Sequence, residues 1–315
     1  MAERRSQLVL GLDPDPRALW PQLAQGGEGA IDATPAPGGA SARAAAAVLE
    51  HCRRLIDATA QCCVAVKLQL ARFEALGVSG WGALHAVADH ARQRGLLVIA
   101  DGKRGDIDVT AQAYASALFG GQDSPHGHVR GLEADAATVN PLLGRDAIEP
   151  FVHAARASGA GVLVLVRTSN PGAAHVQDLE LRDGGPVWER LAAIVDQLGA
   201  AGVGESGLSD VGAVVGATEP WHLERARELM SRAVFLLPGV GAQGGRVEEL
   251  GAAFAPGPAG GLVSASRSIA DAYRGGGGEP AAAAREQAER LRATAWELSR
   301  GVRAEASAAR AGDAR

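Results

Sequence analysis

The sequence is poor in cysteine, aromatic residues and lysine, and it lacks long apolar runs. Its three cysteines include an adjacent pair but no C-x-x-C spacing, so neither a disulfide framework nor a zinc site is indicated. No apolar run reaches the roughly 20 residues that a membrane-spanning helix needs. The net charge is −5 and the arginines are scattered, which argues against a surface for nucleic acid or membranes.

The start of the sequence gives no indication of secretion. Residues 1–5 run directly into a strand-like segment and show no signal-peptide core. We therefore expect a cytoplasmic protein without nucleic-acid or membrane partners. The 315 residues are enough for one large barrel or two ordinary domains.

The 31 basic residues divide into 29 arginines and only two lysines, Lys67 and Lys103. Arg and Lys usually replace each other on a solvated surface, so two lysines in an arginine-rich chain are candidates for a special role. An ammonium group can change its pKa and give up a proton, whereas a guanidinium stays protonated. From composition alone, two ordinary surface lysines are the alternative.

Eight mostly continuous apolar runs alternate with helix-like segments, as expected for strands buried on both faces of a parallel sheet. The predicted strands are residues 8–12, 63–70, 96–101, 137–141, 161–168, 211–218, 233–239 and 260–266. The predicted helices are residues 42–60, 80–94, 109–120, 146–157, 186–199, 219–231 and 246–253, with an extra C-terminal helix at 280–301. This α/β alternation predicts a (β/α)₈ TIM barrel. An open doubly wound sheet is the weaker alternative, because no G-x-G-x-x-G follows the first strand.

We expect residues 1–302 to form a single barrel domain. Two glycine- and proline-rich stretches, residues 25–39 and 121–133, are predicted to be loop insertions. Residues 303–315 are rich in alanine and are expected to form a frayed C-terminal tail.

Charged residues gather where the first three predicted strands end, and in this type of barrel the carboxyl ends of the strands carry function. They are Asp13 after the first strand, Lys67 in the second, and Asp101, Lys103 and Asp106 at the end of the third. Asp101 and Lys103 are two residues apart on a segment predicted to be extended, so their side chains should leave on one face. Such a cluster keeps a carboxylate ionised and a lysine protonated. A solvated, charge-rich turn is the alternative.

The loops after the last two predicted strands indicate an anion site. Residues 239–245 are rich in glycine, which lets backbone N–H groups approach a phosphate closely. Gln243 offers an amide donor, and Arg267 can bind phosphate oxygens through two parallel hydrogen bonds. Phosphate sites in this type of barrel commonly use these two loops. A tight turn without a function is the alternative.

Together these residues resemble the orotidine 5'-phosphate decarboxylase family, in particular its longer bacterial branch. The D-x-K-x-x-D pattern at residues 101–106 is the hallmark of that family. The supporting matches are Lys67, T-S-N-P-G at 168–172, P-G-V-G-A-Q-G-G at 238–245 and S-R-S-I at 266–269. The resemblance extends over most of the chain, from about residue 8 to residue 273.

The resemblance implies decarboxylation of orotidine 5'-monophosphate to uridine 5'-monophosphate and CO₂, in pyrimidine synthesis, with no metal and no cofactor. Lys103 would give a proton to C6 of the pyrimidine after CO₂ leaves, and Asp101 would lie beside the departing carboxylate. Lys67 and Asp106 would complete the charged array, and Lys67 would also touch the ribose.

The resemblance also implies which residues hold the rest of the nucleotide. Asp13 would bind ribose hydroxyls, and Ser169 would hydrogen-bond the amide edge of the pyrimidine. The phosphate would be held by Gln243, Gly244 and Arg267.

A shared active site is a further implication. In the family, the second aspartate and a threonine four residues later reach into the neighbouring subunit. These are Asp106 and Thr110 in this sequence, which implies a homodimer.

The chemistry is consistent with this resemblance. Loss of CO₂ from C6 leaves a poorly delocalised carbanion, and the sequence offers preorganised charge and a proton donor to stabilise it. Binding energy from the remote phosphate can close a loop over the site, which predicts that residues 240–245 are mobile.

Two other functions stay open at this point. One is a magnesium-dependent sugar-phosphate decarboxylase or aldolase of the same barrel group, which generally has an acid at the position of Lys67. An ammonium group there would repel a divalent cation. The other is a non-catalytic nucleotide-phosphate-binding barrel, which would need the phosphate loop without the charged array.

Overall fold

The computed structural model describes residues 1–24, 39–241 and 244–313. Eight of its strands are parallel and close into a barrel: β1 (Leu8–Leu12), β2 (Ala65–Gln69), β3 (Leu97–Arg104), β6 (Ala136–Val139), β7 (Gly161–Arg167), β8 (Val211–Val215), β9 (Phe235–Leu237) and β10 (Gly261–Ala265). Around the barrel the order is β1-β10-β9-β8-β7-β6-β3-β2. Strands β4 (Gln122–Ser124) and β5 (Gly127–Val129) form a separate antiparallel hairpin.

Helices connect the strands and surround the barrel. They are α1 (Pro21–Ala24), α2 (Gly39–Thr59), α3 (Leu70–Glu74), α4 (Gly77–Gln93), α5 (Asp108–Leu118), α6 (Arg145–Ala157), α7 (Val187–Gly199), α8 (Pro220–Leu229), α9 (Arg267–Ala270), α10 (Tyr273–Gly276) and α11 (Pro280–Asp313). Among the described residues, no helix has the length and apolar character needed to cross a bilayer.

The predicted (β/α)₈ barrel is confirmed, and the doubly wound alternative is wrong because the sheet closes on itself. The predicted helix at 246–253 is wrong: two short 3₁₀ turns, Val247–Glu249 and Gly251–Phe254, replace it. Gly251 begins the second turn, and glycine disfavours a continuous helix. Helix α11 continues to Asp313 instead of ending at 301, since alanine and arginine are strong helix formers. The domain boundary at 302 and the frayed tail stay predictions.

The insertion at 121–133 is more ordered than its composition predicts, because it contains the β4–β5 hairpin. The His128 ring fixes this hairpin through contacts of 2.8 Å from Nδ1 to Asp123 Oδ1 and 2.9 Å from Nε2 to the Gly120 carbonyl. The other insertion, residues 25–39, lies outside the described residues except for Gly39, the first residue of α2.

Alternation along the strands divides the core into two parts. A cluster within the barrel contains Val9, Val64, Ala65, Ile99, Leu163, Val214, Leu236 and Leu262. Their neighbours along the strands, such as Leu8, Leu10, Val98 and Ala100, pack in a second cluster together with residues of the surrounding helices. Since side chains two positions apart on a strand share a face, residues that follow the inner cluster by two positions face the barrel mouth. Lys67 follows Ala65 and Asp101 follows Ile99 in this way.

Candidate active site

A charged array of Asp13, Lys67, Asp101 and Lys103 lies at the carboxyl ends of β1, β2 and β3. Asp101 accepts a hydrogen bond of 2.6 Å from Lys67 Nζ at Oδ2 and another of 2.6 Å from Lys103 Nζ at Oδ1. Lys67 Nζ also lies 3.7 Å from Asp13 Oδ1. The side chains of Lys67 and Asp101 are 9% and 5% exposed, whereas that of Lys103 is 42% exposed. Both lysines of the chain therefore meet on one buried carboxylate.

The charges of the array stabilise one another. Burial alone would raise the pKa of the Asp101 carboxyl, but the two ammonium groups that contact it lower this pKa to about 2. Burial alone would lower the pKa of Lys67, yet the carboxylates of Asp101 and Asp13 outweigh it and raise the pKa. At neutral pH, Asp101 is therefore a carboxylate and Lys67 is an ammonium ion.

Lys103 reaches Asp101 because β3 is irregular at its end. Ala100 pairs with Ala137 and Arg104 pairs with Val139, so four steps along β3 match only two along β6. Lys103 has a φ of 48°, in the left-handed region that few residues with a side chain adopt. The extended geometry predicted for this segment is therefore wrong in detail. A bulge, and not a period of two, brings the two side chains together.

Thr138 is a neighbour of the array that the sequence reasoning missed. It lies in β6 opposite the bulge and is fully buried. Its hydroxyl group donates a hydrogen bond of 2.9 Å to Asp101 Oδ1 and accepts one of 2.9 Å from the backbone N–H of Lys103. The only signal in the sequence is a single polar residue within the apolar run at 136–139.

A cavity of about 510 Å³ opens at the barrel mouth above the array, a size typical of sites for small ligands. Six of the predicted site residues line it: Asp13, Lys67, Asp101, Lys103, Ser169 and Arg267. Six polar residues without a predicted role also line it: Gln69, Thr168, Asn170, Gln177, Ser264 and Ser266. The charged array and the Arg267 guanidinium therefore belong to the same cavity.

The loop after β7 carries Ser169, and two features hold this loop in place. A Cβ atom at Gly216 would lie 3.0 Å from the backbone N and Cα of Ser169, so a larger residue at 216 would push against this loop. The side chain of Gln177 accepts the backbone N–H of Thr168 at 2.9 Å and donates to its hydroxyl at 3.0 Å. Sequence spacing gave no signal for Gln177, because it lies nine residues after Thr168, beyond the 3₁₀ turn Pro171–His175, and matches no single strand or helix period.

The glycine-rich segment after β9 is only partly described. Gly239 and Val240 line the cavity, and Gly241 N–H donates to the Gly245 carbonyl at 2.9 Å. Gly244 is not among the cavity-lining residues, and its N–H donates to the Gly241 carbonyl at 3.0 Å. Gln243 lies outside the described residues. The predicted phosphate contacts of Gln243 and Gly244, and the mobility of residues 240–245, stay predictions.

Asp106 and Thr110 do not line the cavity of their own chain. Asp106 Oδ1 accepts a hydrogen bond of 2.8 Å from the backbone N–H of Ile107, and Thr110 is exposed on α5.

Within the part of the chain that the structure describes, no three His, Cys, Asp or Glu side chains group into a metal-binding cluster. Independence of a metal ion nevertheless stays a prediction.

The closed parallel barrel and the cavity at its mouth are those of a (β/α)₈-barrel enzyme. A family model described as "Orotidine 5'-phosphate decarboxylase / HUMPS family" matches residues 6–287. The chain therefore belongs to this family, and the resemblance predicted from the sequence is confirmed.

Individual relatives agree with the family match. The orotidine 5'-phosphate decarboxylase of Rhodopirellula baltica is 44% identical over 233 residues, which cover 73% of this chain and 75% of the relative. That of Deinococcus radiodurans is 46% identical over 239 residues, which cover 76% and 81%. The structure of Leishmania donovani OMP decarboxylase matches with a TM-score of 0.67 and 32% identity, over 94% of this chain and 97% of that one. The named relatives are carboxy-lyases, which places this chain in the same class of enzyme.

Proposed function

We propose that the chain decarboxylates orotidine 5'-monophosphate to uridine 5'-monophosphate and CO₂, with Lys103 as the proton donor and without a metal or organic cofactor. The observation that carries the proposal is the Asp101 carboxylate, held between two ammonium groups in a cavity that also contains Arg267. The names of relatives at 44% and 46% identity support the substrate. A cytoplasmic location stays an expectation from the sequence.

The cavity offers a complementary group for each part of the nucleotide. Arg267 can pair with the phosphate through two charge-assisted hydrogen bonds. Asp13 Oδ1 is buried without a hydrogen-bond partner among the described residues, so it is an acceptor ready for a ribose hydroxyl. Ser169, on the loop held by Gln177, can meet the edge of the pyrimidine. These groups would place the substrate carboxylate beside Asp101.

The reaction then needs two events at C6. The bond between C6 and its carboxylate carbon breaks, CO₂ leaves, and the electron pair stays on C6. That pair takes a proton from Lys103 Nζ and forms the new C–H bond, while Lys103 recovers a proton from solvent through its exposed face. Because the pKa of Asp101 is about 2, its carboxylate does not compete for the proton. The fixed ammonium groups stabilise the developing charge without reorganising.

We also propose a homodimer in which Asp106 and Thr110 complete the partner's cavity. Both residues lie outside the cavity of their own chain, on a segment with exposed apolar side chains. At this edge the exposed apolar residues are Ile107, Val109, Leu142 and Leu143, at 50% to 76% exposure. Exposed apolar surface of this kind favours a protein–protein contact.

Mixing two inactive variants tests the shared site. Asp101→Ala and Asp106→Ala should each be nearly inactive alone, because each variant lacks one acid in every site of its dimer. A mixed dimer keeps one intact site, so random exchange of subunits should recover about a quarter of wild-type activity. Activity after refolding an equimolar mixture measures this. Mixed dimers that form, as shown by native mass spectrometry, yet have no activity would contradict the shared site.

Arg267→Ala tests the phosphate contact. Loss of a charge-assisted pair should weaken binding of uridine 5'-monophosphate by about 100-fold, measured by calorimetry, while binding of uridine stays unchanged. Arg72→Ala is the matched control, since Arg72 is another exposed arginine near the barrel mouth that does not line this cavity. Equal nucleotide affinity in the Arg267→Ala variant and the wild type would remove Arg267 from the phosphate site.

The proposed function is tested by following the pyrimidine absorbance of orotidine 5'-monophosphate with purified protein, with and without EDTA. We expect turnover that EDTA does not change. Turnover that requires added magnesium would contradict the metal-free mechanism. Binding of uridine 5'-monophosphate without any release of CO₂ would instead indicate a non-catalytic nucleotide-binding barrel.

A further inference from the structure

The bulge in β3 leaves Thr138 as the one residue of β6 between the two pairs Ala100–Ala137 and Arg104–Val139. Asp101 and Lys103 both lie in the bulged part of β3. Here the regular ladder of backbone hydrogen bonds between the two strands is interrupted. The Thr138 hydroxyl instead accepts a hydrogen bond of 2.9 Å from the backbone N–H of Lys103.

The chemistry of the groups fixes the direction of both hydrogen bonds. A backbone N–H can only donate, so the Thr138 oxygen accepts from Lys103. A carboxylate can only accept, so the hydroxyl proton of Thr138 goes to Asp101 Oδ1 at 2.9 Å. The buried Thr138 hydroxyl therefore links the backbone N–H of Lys103 to the Asp101 carboxylate, which the Lys103 side chain also contacts.

We propose that Thr138 is a positioning residue for the decarboxylation, acting through Lys103 and Asp101 without touching the substrate. This inference rests on the proposed function. A backbone φ of 48° is strained for a residue that has a side chain, so Lys103 needs a contact from another residue to keep this conformation. Thr138 supplies it and thereby directs the Lys103 ammonium group into the cavity.

Thr138 has a second effect during proton transfer. When Lys103 delivers its proton to C6, its hydrogen bond to Asp101 Oδ1 loses the positive charge that strengthens it. The Thr138 hydroxyl continues to donate to the same oxygen, and Lys67 continues to donate to Oδ2. The carboxylate therefore keeps its orientation while Lys103 is neutral.

Thr138→Val removes the hydroxyl group at nearly constant shape, and Thr138→Ser keeps it. The Val variant should lose about 10-fold to 100-fold in kcat with KM changed less than about threefold, because misplacement of Lys103 affects the chemical step more than substrate binding. Hydrogen exchange followed by mass spectrometry should show faster exchange of the Lys103 amide. The Ser variant should remain close to the wild type in both measurements.

Thr59→Val is the matched control, because Thr59 is equally buried and its hydroxyl donates to the Leu55 carbonyl in α2, away from the cavity. It should change neither kcat nor exchange at Lys103. Thr138→Ala provides the same comparison if the Val variant does not fold.

Two results would overturn the inference. One is a Val variant with wild-type kcat and wild-type protection of the Lys103 amide. The other is a Ser variant as impaired as the Val variant, because packing and not the hydroxyl group would then be responsible. If the wild type fails to turn over orotidine 5'-monophosphate, the proposed function falls. The exchange measurement then still decides whether Thr138 holds Lys103, and unchanged protection would overturn the inference.

Discussion

Replacing Lys103 with alanine should reduce kcat for orotidine 5'-monophosphate by at least about 10⁴-fold, since the variant loses both a proton donor and a cation beside the developing carbanion. Lys67 remains to keep Asp101 ionised, so the cavity should survive the change. Binding of uridine 5'-monophosphate should therefore stay measurable by calorimetry. Release of CO₂ in single turnovers measures the chemical step directly.

Lys103→Arg separates the charge of Lys103 from its proton. A guanidinium keeps the positive charge but does not give up a proton near neutral pH, so this variant should be almost as inactive as the alanine variant. Substantial activity in Lys103→Arg would show that Lys103 acts by its charge alone. Near-normal turnover in Lys103→Ala would remove Lys103 from the reaction altogether.

Replacing Asp101 with asparagine should have the second largest effect, because two ammonium groups would then face each other without a carboxylate between them. Leaving buried Lys67 without its closest counter-charge should lower the free energy of unfolding by about 3 kcal/mol, measured in urea. The loss of kcat should reach about 1,000-fold, as the Lys103 ammonium group would no longer be held by a charged acceptor.

The pH dependence of this difference identifies its electrostatic origin. The lowered pKa of Asp101 means that its carboxylate stabilises the fold above an unfolded pKa of about 4, and this contribution is lost as the pH falls towards the folded pKa of about 2. The raised pKa of Lys67 means that its contribution is present below about pH 10 and is lost at higher pH. The stability difference between wild type and Asp101→Asn should therefore be largest near neutral pH and smaller at both extremes.

Asp210→Asn is the matched control for this experiment. Asp210 forms an ion pair with Arg156 at 2.6 Å, and neither residue lines the cavity. This variant should lose stability without losing kcat. A stability difference for Asp101→Asn that does not change with pH would show that packing, and not charge, is responsible for the cost.

The barrel could be predicted because short, continuous apolar runs and their regular spacing directly reflect strands that are buried on both faces. The elements that were missed depend on contacts that are not local in sequence. The β4–β5 hairpin is short, and its second strand is exposed throughout. Two contacts of the His128 ring fix it, and no hydrophobic pattern reveals such contacts. The segment 246–253 has the composition of a helix, yet it forms two 3₁₀ turns.

The candidate site also combines features that the sequence predicts with features that depend on contacts between distant segments. The scarcity of lysine singled out Lys67 and Lys103, and the structure brings both onto Asp101. The bulge that places Lys103 depends on the register between β3 and β6, which is a property of two strands and not of one. Thr138 contributes through that register, so its role was invisible until the strands were paired. The roles proposed for Asp106 and Thr110 require a second chain, so one copy of the chain does not test them.

The distribution of lysine has a practical consequence for work with the protein. Apart from the amino group of Met1, the chain offers amine-directed reagents only Lys67, which is 9% exposed, and Lys103, which is 42% exposed. Amine coupling attaches most proteins to a surface at many random points. It would attach this protein only through the Met1 amino group or through lysines that line the cavity. Surfaces and dyes are therefore better joined to this protein through an added tag than through its amines.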